Sequence, residues 1–270
     1  MPGADGANEQ YGFDAAAADF DALGRYLWAP IGAATVAATA PGPGERVLDA
    51  CCGTGASALP AARAVGPDGV VDAVDVSRPM TDAVARASRS MPQLRSHTAD
   101  VLTWPDGDYD VVQCALGIFF FPDMEAGARH LITRARPGGR VGYTIWRSGS
   151  METAGRHLAQ AVAAVTGGEV PDRRPHLLHR VSRQDTYADW LASLGLGDVR
   201  VAEAERSLPV TDELAWLIVL GSGFRGWIAQ RPDDQVAAIR AAYLASLKSA
   251  DVAAIDATTL IGTGTAVRAG

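Results

Sequence analysis

The stretch Val47–Gly55, VLDACCGTG, sets an acid, two cysteines and two glycines after a short apolar run. Glycines at such a turn let the backbone approach a ligand, and a helix that follows offers free N–H groups. Asp75 lies 22 positions after Gly53, at the end of a second apolar run, VVDAV. An acid about 20 residues beyond a glycine turn is placed to accept hydrogen bonds from ribose hydroxyls. Asp100 closes a third run beside Val101. It can accept from an adenine amino group while Val101 packs on the ring. Each acid alone reads as a turn or cap residue; three on successive strand ends read as a nucleoside pocket. Cys51 and Cys52 read as small residues at a crowded turn, because a metal would need more ligands at fixed spacing and none lie nearby.

The loop can also be written Gly53-x-Gly55-x-x-Ala58, the relaxed dinucleotide fingerprint. Asp49 argues for another ligand, since a carboxylate there suits a cationic amine and repels a pyrophosphate. The single lysine, Lys248, excludes a phosphate loop of the GxxxxGK type. It also argues against the Tyr–Lys pair of a nicotinamide-dependent oxidoreductase, which is the alternative enzyme reading. A third reading is a repurposed fold that binds its cofactor without transferring from it.

These residues need strands ending at one edge. Residues 46–50, 70–74, 94–99, 109–115 and 140–146 read as strands, with helices at 56–65, 78–90 and 123–136 between them. Alternation of this kind predicts a parallel sheet with right-handed crossovers. Beyond Trp146 the spacing predicts helices at 152–165, 184–194, 212–220 and 234–247, strands at 199–206 and 259–268, and a loop at 167–180. Helices are also expected at 14–28 and 31–40.

The 270 residues carry a formal net charge of −7, with 48% hydrophobic and 20% charged residues. That balance fits a globular protein with a real core, and the acidic field argues against nucleic acid as a partner. No apolar run approaches the roughly 20 residues that span a bilayer. The polar, acidic start, MPGADGANEQ, does not read as a secretory signal. No membrane partner and a cytoplasmic location, with reduced cysteines, are therefore expected.

Five segments, VLDACCGTG, VVDAVDVSRPM, HTADVLTWP, YDVVQCALGIFFFPD and ARPGGRVGYTIW, stand in order between about residues 45 and 146. With them the chain resembles class I S-adenosylmethionine-dependent methyltransferases, in particular the UbiE-like small-molecule group. It departs from them at Cys51, where the family usually has glycine. The resemblance implies an α/β fold: a doubly wound, seven-stranded, mostly parallel Rossmann-like sheet with a reversed last strand and helical lid insertions. It implies S-adenosyl-L-methionine as cofactor. Asp49, Gly53 and Gly55, with Cys51 in the same loop, would surround the methionine part. Asp75 would hold the ribose, Val76 and Met80 would flank the adenine, and Asp100 with Val101 would complete that end. Cys114 and Ala115 would pass near the sulfonium.

The expected reaction is in-line methyl transfer to O, N or C of a small, partly hydrophobic metabolite, driven mainly by proximity and orientation. The expected partner is that small-molecule acceptor, and the chain is expected to be a monomer or a homodimer. Acceptor-side candidates are Tyr11, Tyr26, Trp28, Phe119, Trp146, Arg147 and Phe224. A general base, if one is used, is expected among His157, His176 and His179. The expected organisation is an N-terminal helical lid (1–42), a cofactor-binding core (43–148), an insertion or cap (149–182) and the rest of the core (183–270), with a helical insertion at about 209–255.

Overall fold

The structure is a computed structural model and describes residues 18–168 and 176–267. The described chain begins with helical residues 18–24 and a turn at 25–27. Helix α1 (Trp28–Thr39) follows, then β1 (Arg46–Ala50), α2 (Ala58–Val65), β2 (Val70–Asp75), α3 (Arg78–Ala87) and β3 (Leu94–Thr98). Next come β4 (Tyr109–Ala115), α4 (Met124–Ile132) and β5 (Ala135–Trp146). The chain then makes α5 (Glu152–Thr166), the short α6 (Leu177–Val181), α7 (Gln184–Ser193), β6 (Leu196–Ala204), β7 (Ser207–Pro209), α8 (Asp212–Leu220), α9 (Asp233–Ser249), β8 (Ala254–Asp256) and β9 (Thr259–Ala266).

Two units share the chain. The first holds, among the described residues, 28–148, 176–204 and 259–267, and contains a seven-stranded sheet in the order β3-β2-β1-β4-β5-β9-β6. Strands β1 to β5 run parallel, and β9 runs antiparallel between β5 and β6. This is the doubly wound sheet with one reversed strand that the resemblance implies, and β6 and β9 fill its last two places. The second unit holds, among the described residues, 18–27, 149–168 and 205–258. Its core joins α5, α8 and α9 through Leu158, Val162, Trp216, Val219, Ile239 and Tyr243. Strands β7 and β8 pair antiparallel beside it.

Helix α1 belongs to the sheet unit. It buries Trp28, Ile31, Thr35, Val36 and Thr39, which recur at helical spacing along one face. Two glycines let it approach closely. A Cβ on Gly142 of β5 would lie 2.2 Å from Thr39 Cγ2, and one on Gly32 would lie 2.3 Å from the carbonyl oxygen of Ala56. Pro30 falls in the first turn, where it removes no intrahelical bond.

The boundaries differ from expectation in several places: the helix expected over 14–28 stops at residue 24, a turn fills 25–27, and Trp28 already opens α1. The helix expected over 123–136 ends at Ile132, because β5 already starts at Ala135, paired with Tyr109 across a bulge. The expected loop at 167–180 contains α6. Strand β6 starts at Leu196, within the GLG read as a helix stop, and also carries a bulge.

Candidate functional site

Strand β1 has β2 on one side and β4 on the other, so the order switches at its carboxyl end. In open α/β sheets that crevice takes the ligand. The loop after β1 turns there through left-handed backbone, with φ +55° at Cys51, +52° at Gly53 and +95° at Gly55. Cys51 stands where glycine would sit without the Cβ cost of about 1–2 kcal/mol. This is the physical content of its departure from the family pattern.

Strand β2 holds the loop. Cys52 N–H donates to the carbonyl of Val74 at 3.1 Å. Gly53 N–H donates to Asp75 Oδ2 and Ser77 N–H to Asp75 Oδ1, both at 2.9 Å. Asp75 therefore sets the loop and the start of α3 together. A carboxylate oxygen can accept more than one hydrogen bond. Next to it Val76 is 46% exposed, an apolar side chain bared at the strand end. Asp100 is exposed at the end of β3 and accepts from Leu102 N–H at 2.9 Å.

Asp49, expected to meet a ligand amine, is instead fully enclosed. Ser57 Oγ donates to both of its oxygens at 2.8 and 2.9 Å, and Gln113 Nε2 donates to Oδ1 at 3.0 Å. Thr39 Oγ1 donates to Gln113 Oε1 at 3.1 Å. Burial outweighs these donors and pushes the Asp49 carboxyl up to about 7. Its role is therefore to brace β1, β4, α1 and the start of α2 from within. Ser57, Gln113 and Thr39 were not foreseen. The signal for Gln113 was present, as a polar residue inside the apolar run of β4.

Met80 and Val101, expected on the adenine, are enclosed at 2% and 3% exposure and present almost no surface. Both pack inward: Met80 from the first turn of α3, Val101 within the main core cluster. Cys114 is wholly buried, while Ala115 is half-buried at the end of β4. Val76 alone among the apolar adenine candidates is open to a ring.

The acceptor candidates scatter. Trp28 and Trp146 approach with ring centroids 6.4 Å apart, tilted by 57°. Phe119 is partly buried against the core, and its neighbour Phe120 is the exposed ring of the pair. Arg147 lines a cleft of 540 Å³ with Ser148, Ser182, Arg183 and Glu203 among others. Tyr26 and Phe224 belong to the other unit. There the Arg25 guanidinium lies over the Tyr26 ring, and Phe224 meets Trp227 edge-on. Tyr11 lies outside the described residues.

The histidines are not brought together as a base site. His157 is buried in the helical unit, with Nδ1 2.7 Å from Ser246 Oγ, and burial lowers its pKa. It ties α5 to α9. His176 Nδ1 accepts Leu178 N–H at 3.0 Å and caps α6. His179 is exposed one turn on.

Residues 47–139 match the family described as a methyltransferase domain. Nocamycin O-methyltransferase of Saccharothrix syringae is 30% identical over 203 residues, covering 70% of this chain and 72% of that protein. The chain belongs to the S-adenosylmethionine-dependent methyltransferases. Aklanonic acid methyltransferase DauC of Streptomyces sp. is 31% identical over 187 residues, covering 66% of this methyltransferase and 82% of the relative. In fold, the chain is similar to phosphoethanolamine N-methyltransferase 2 of Haemonchus contortus in complex with S-adenosyl-L-methionine. That likeness has a TM-score of 0.52 at 14% identity, over 88% of this chain and 52% of the other.

The enzyme transfers a methyl group from S-adenosylmethionine, and the donor set at the sheet's switch point fits that cofactor. Asp75 offers a carboxylate to hydroxyls, Val76 offers a bared apolar face to a flat ring, and the glycine loop offers close backbone approach. No helix among the described residues is long and apolar enough to cross a membrane.

Proposed function

We propose that this methyltransferase methylates an acidic oxygen of a small, partly hydrophobic acceptor. The observation that carries the reading is the end of β5. Trp146 is half-buried there against the buried Trp28, and the next residue, Arg147, lines a polar cleft. A half-exposed indole beside a guanidinium suits an acceptor with an apolar body and an anionic oxygen. Two relatives support it, one named as an O-methyltransferase and one for an acid.

When bound, S-adenosylmethionine supplies an electrophilic methyl group on a cationic sulfur. Asp75 holds the ribose hydroxyls, Val76 packs on the adenine and Asp100 accepts from its amino group. The loop of Cys51, Gly53 and Gly55, with Ala115, borders the methionine part, and Asp49 braces that loop from below. The protein's contribution is to hold the acceptor oxygen in line and to exclude water. An acidic oxygen reaches the site already ionised at neutral pH and needs no base. That agrees with His157 and His176 being engaged in structural bonds.

The test is incubation with methyl-labelled cofactor and a panel of carboxylic and acidic enolic acceptors, with simple phenols and matched amines as controls. Label on oxygen, strongest for acceptors with an aromatic or alicyclic body, is the expected result. Label on nitrogen or carbon would overturn the oxygen assignment.

A further inference from the structure

Cys51 and Cys114 meet at the foot of the cofactor loop. Strand register pairs Asp49 of β1 with Gln113 of β4. Cys114 is the next residue on β4, and Cys51 lies two beyond Asp49, turned back by its positive φ. A Cβ on Gly117 would lie 2.5 Å from Cys51 Cβ, 2.9 Å from Cys51 Sγ and 2.6 Å from Cys114 Sγ. The space a side chain at 117 would fill is thus taken by two thiols. Neighbouring strands stand about 4.8 Å apart, and a disulfide spans Cα separations of about 4.4–6.8 Å. Cys51 is half-buried and Cys114 wholly buried, so an oxidant reaches Cys51 first. Cys52 points elsewhere: it packs in the cluster that holds α2 and approaches the carbonyl of Gly53 at 3.6 Å.

We propose that Cys51 and Cys114 form a reversible disulfide on exposure to a peroxide, and that this bond draws the cofactor loop away from Asp75. The second half rests on the cofactor site proposed above. In the first step the Cys51 sulfur attacks one peroxide oxygen, the O–O bond breaks, and water leaves. Cys51 is then a sulfenic acid. In the second step the Cys114 sulfur attacks the Cys51 sulfur, the S–O bond breaks, and the hydroxyl leaves as water with the Cys114 proton. Two thiols lose two electrons and two protons, and the peroxide is reduced to two waters. Contact with Cys114, together with burial, holds the Cys51 thiol well above its ordinary pKa, so the reaction quickens as pH rises. Contraction of the sulfurs to about 2.05 Å pulls residue 51 toward β4. The Gly53–Asp75 hydrogen bond, anchored on β2, then has to lengthen.

The experiment treats the purified, reduced chain with hydrogen peroxide and reads intact mass, peptide maps and calorimetric titration with S-adenosylmethionine. Expected are a loss of two hydrogens, a peptide linking Cys51 to Cys114, and its reversal by dithiothreitol. The link persists in Cys52→Ala and is absent from Cys51→Gly and Cys114→Ala. Cofactor affinity falls by about tenfold or more on oxidation, as the loop loses register with Asp75, and returns on reduction. A link to Cys52, or overoxidised Cys51 without a link, would overturn the disulfide. A link that leaves affinity unchanged would overturn its effect on the loop. Absence of cofactor binding in the reduced chain would count against the cofactor site alone, since mass reads the link without cofactor.

Discussion

The side-chain amide of Gln113 donates to the carboxylate of Asp49 at 3.0 Å across two neighbouring strands, and neither residue has any exposed surface. The loop assigned to the cofactor therefore rests on a buried acid. Its carboxyl is raised from 3.8 to about 7, so the folded chain keeps a proton that the unfolded chain releases. Stability from this group is fully present below about pH 4 and is lost as pH rises to about 7, by at most ~4 kcal/mol. Asp49→Asn removes that dependence. Urea midpoints at pH 5 and pH 8 should fall with pH in the parent more than in the variant. Parallel changes would show that Asp49 is ionised throughout.

Asp75→Ala removes the acceptor shared by Gly53 and Ser77 and the one assigned to the ribose. Cofactor affinity should drop about a hundredfold, near 3 kcal/mol. Val76→Ser should cost less, about 1 kcal/mol, through lost apolar contact. Calorimetric titration measures both, and an unaltered Kd for Asp75→Ala would remove it from the cofactor site.

Trp146→Ala should raise the acceptor KM at least about tenfold while the cofactor Kd stays within about twofold. Steady-state kinetics with the acceptor found by the panel reads this directly. Equal losses for both ligands would place the Trp28–Trp146 pair in the scaffold.

Gly142→Ala should destabilise the sheet unit by about 1–3 kcal/mol, because the new methyl meets Thr39 Cγ2. Thr39→Ser deletes that methyl and keeps the hydroxyl that donates to Gln113. The double variant should therefore regain much of the loss, a coupling that a double-mutant cycle measures. Additive losses would mean that α1 yields some other way.

His157→Ala should lower stability by about 1–3 kcal/mol, through the lost contact with Ser246 and the cavity left between α5 and α9. Its kcat should not change. A collapse of kcat with full stability would return His157 to the chemistry.

Strands β1 and β4 could be read from the sequence to the residue, because RVLDA and YDVVQCA are apolar runs bounded by turns. Asp75 was legible as the acid that ends β2 by its spacing from Gly53. Which way a strand-end residue faces was not. Met80, Val101 and Asp49 have the right positions but face inward, and only packing decides that. The start of β5 was hidden because Pro137, Gly138 and Gly139 look like a stop. In the fold, a Cβ at Gly139 would meet the carbonyls of Arg136 and Tyr109, so the glycine serves a close approach at the bulge. Strands β7 and β8 pair across more than forty intervening residues, and no local pattern announces such a ladder.

The reversed strand β9 leaves one more consequence. Thr259 pairs with Trp146 on one side and with Ala204 on the other. The places where the chain departs from the sheet after β5 and β6 and returns into β9 thus fall in a single row. Segments 149–168 and 205–258 both follow strands that end in that row, while β1 pairs with β2 and β4 elsewhere in the sheet. A sheet wired in this manner is a chassis: one half can stay fixed around a common cofactor while the other is exchanged as a cassette.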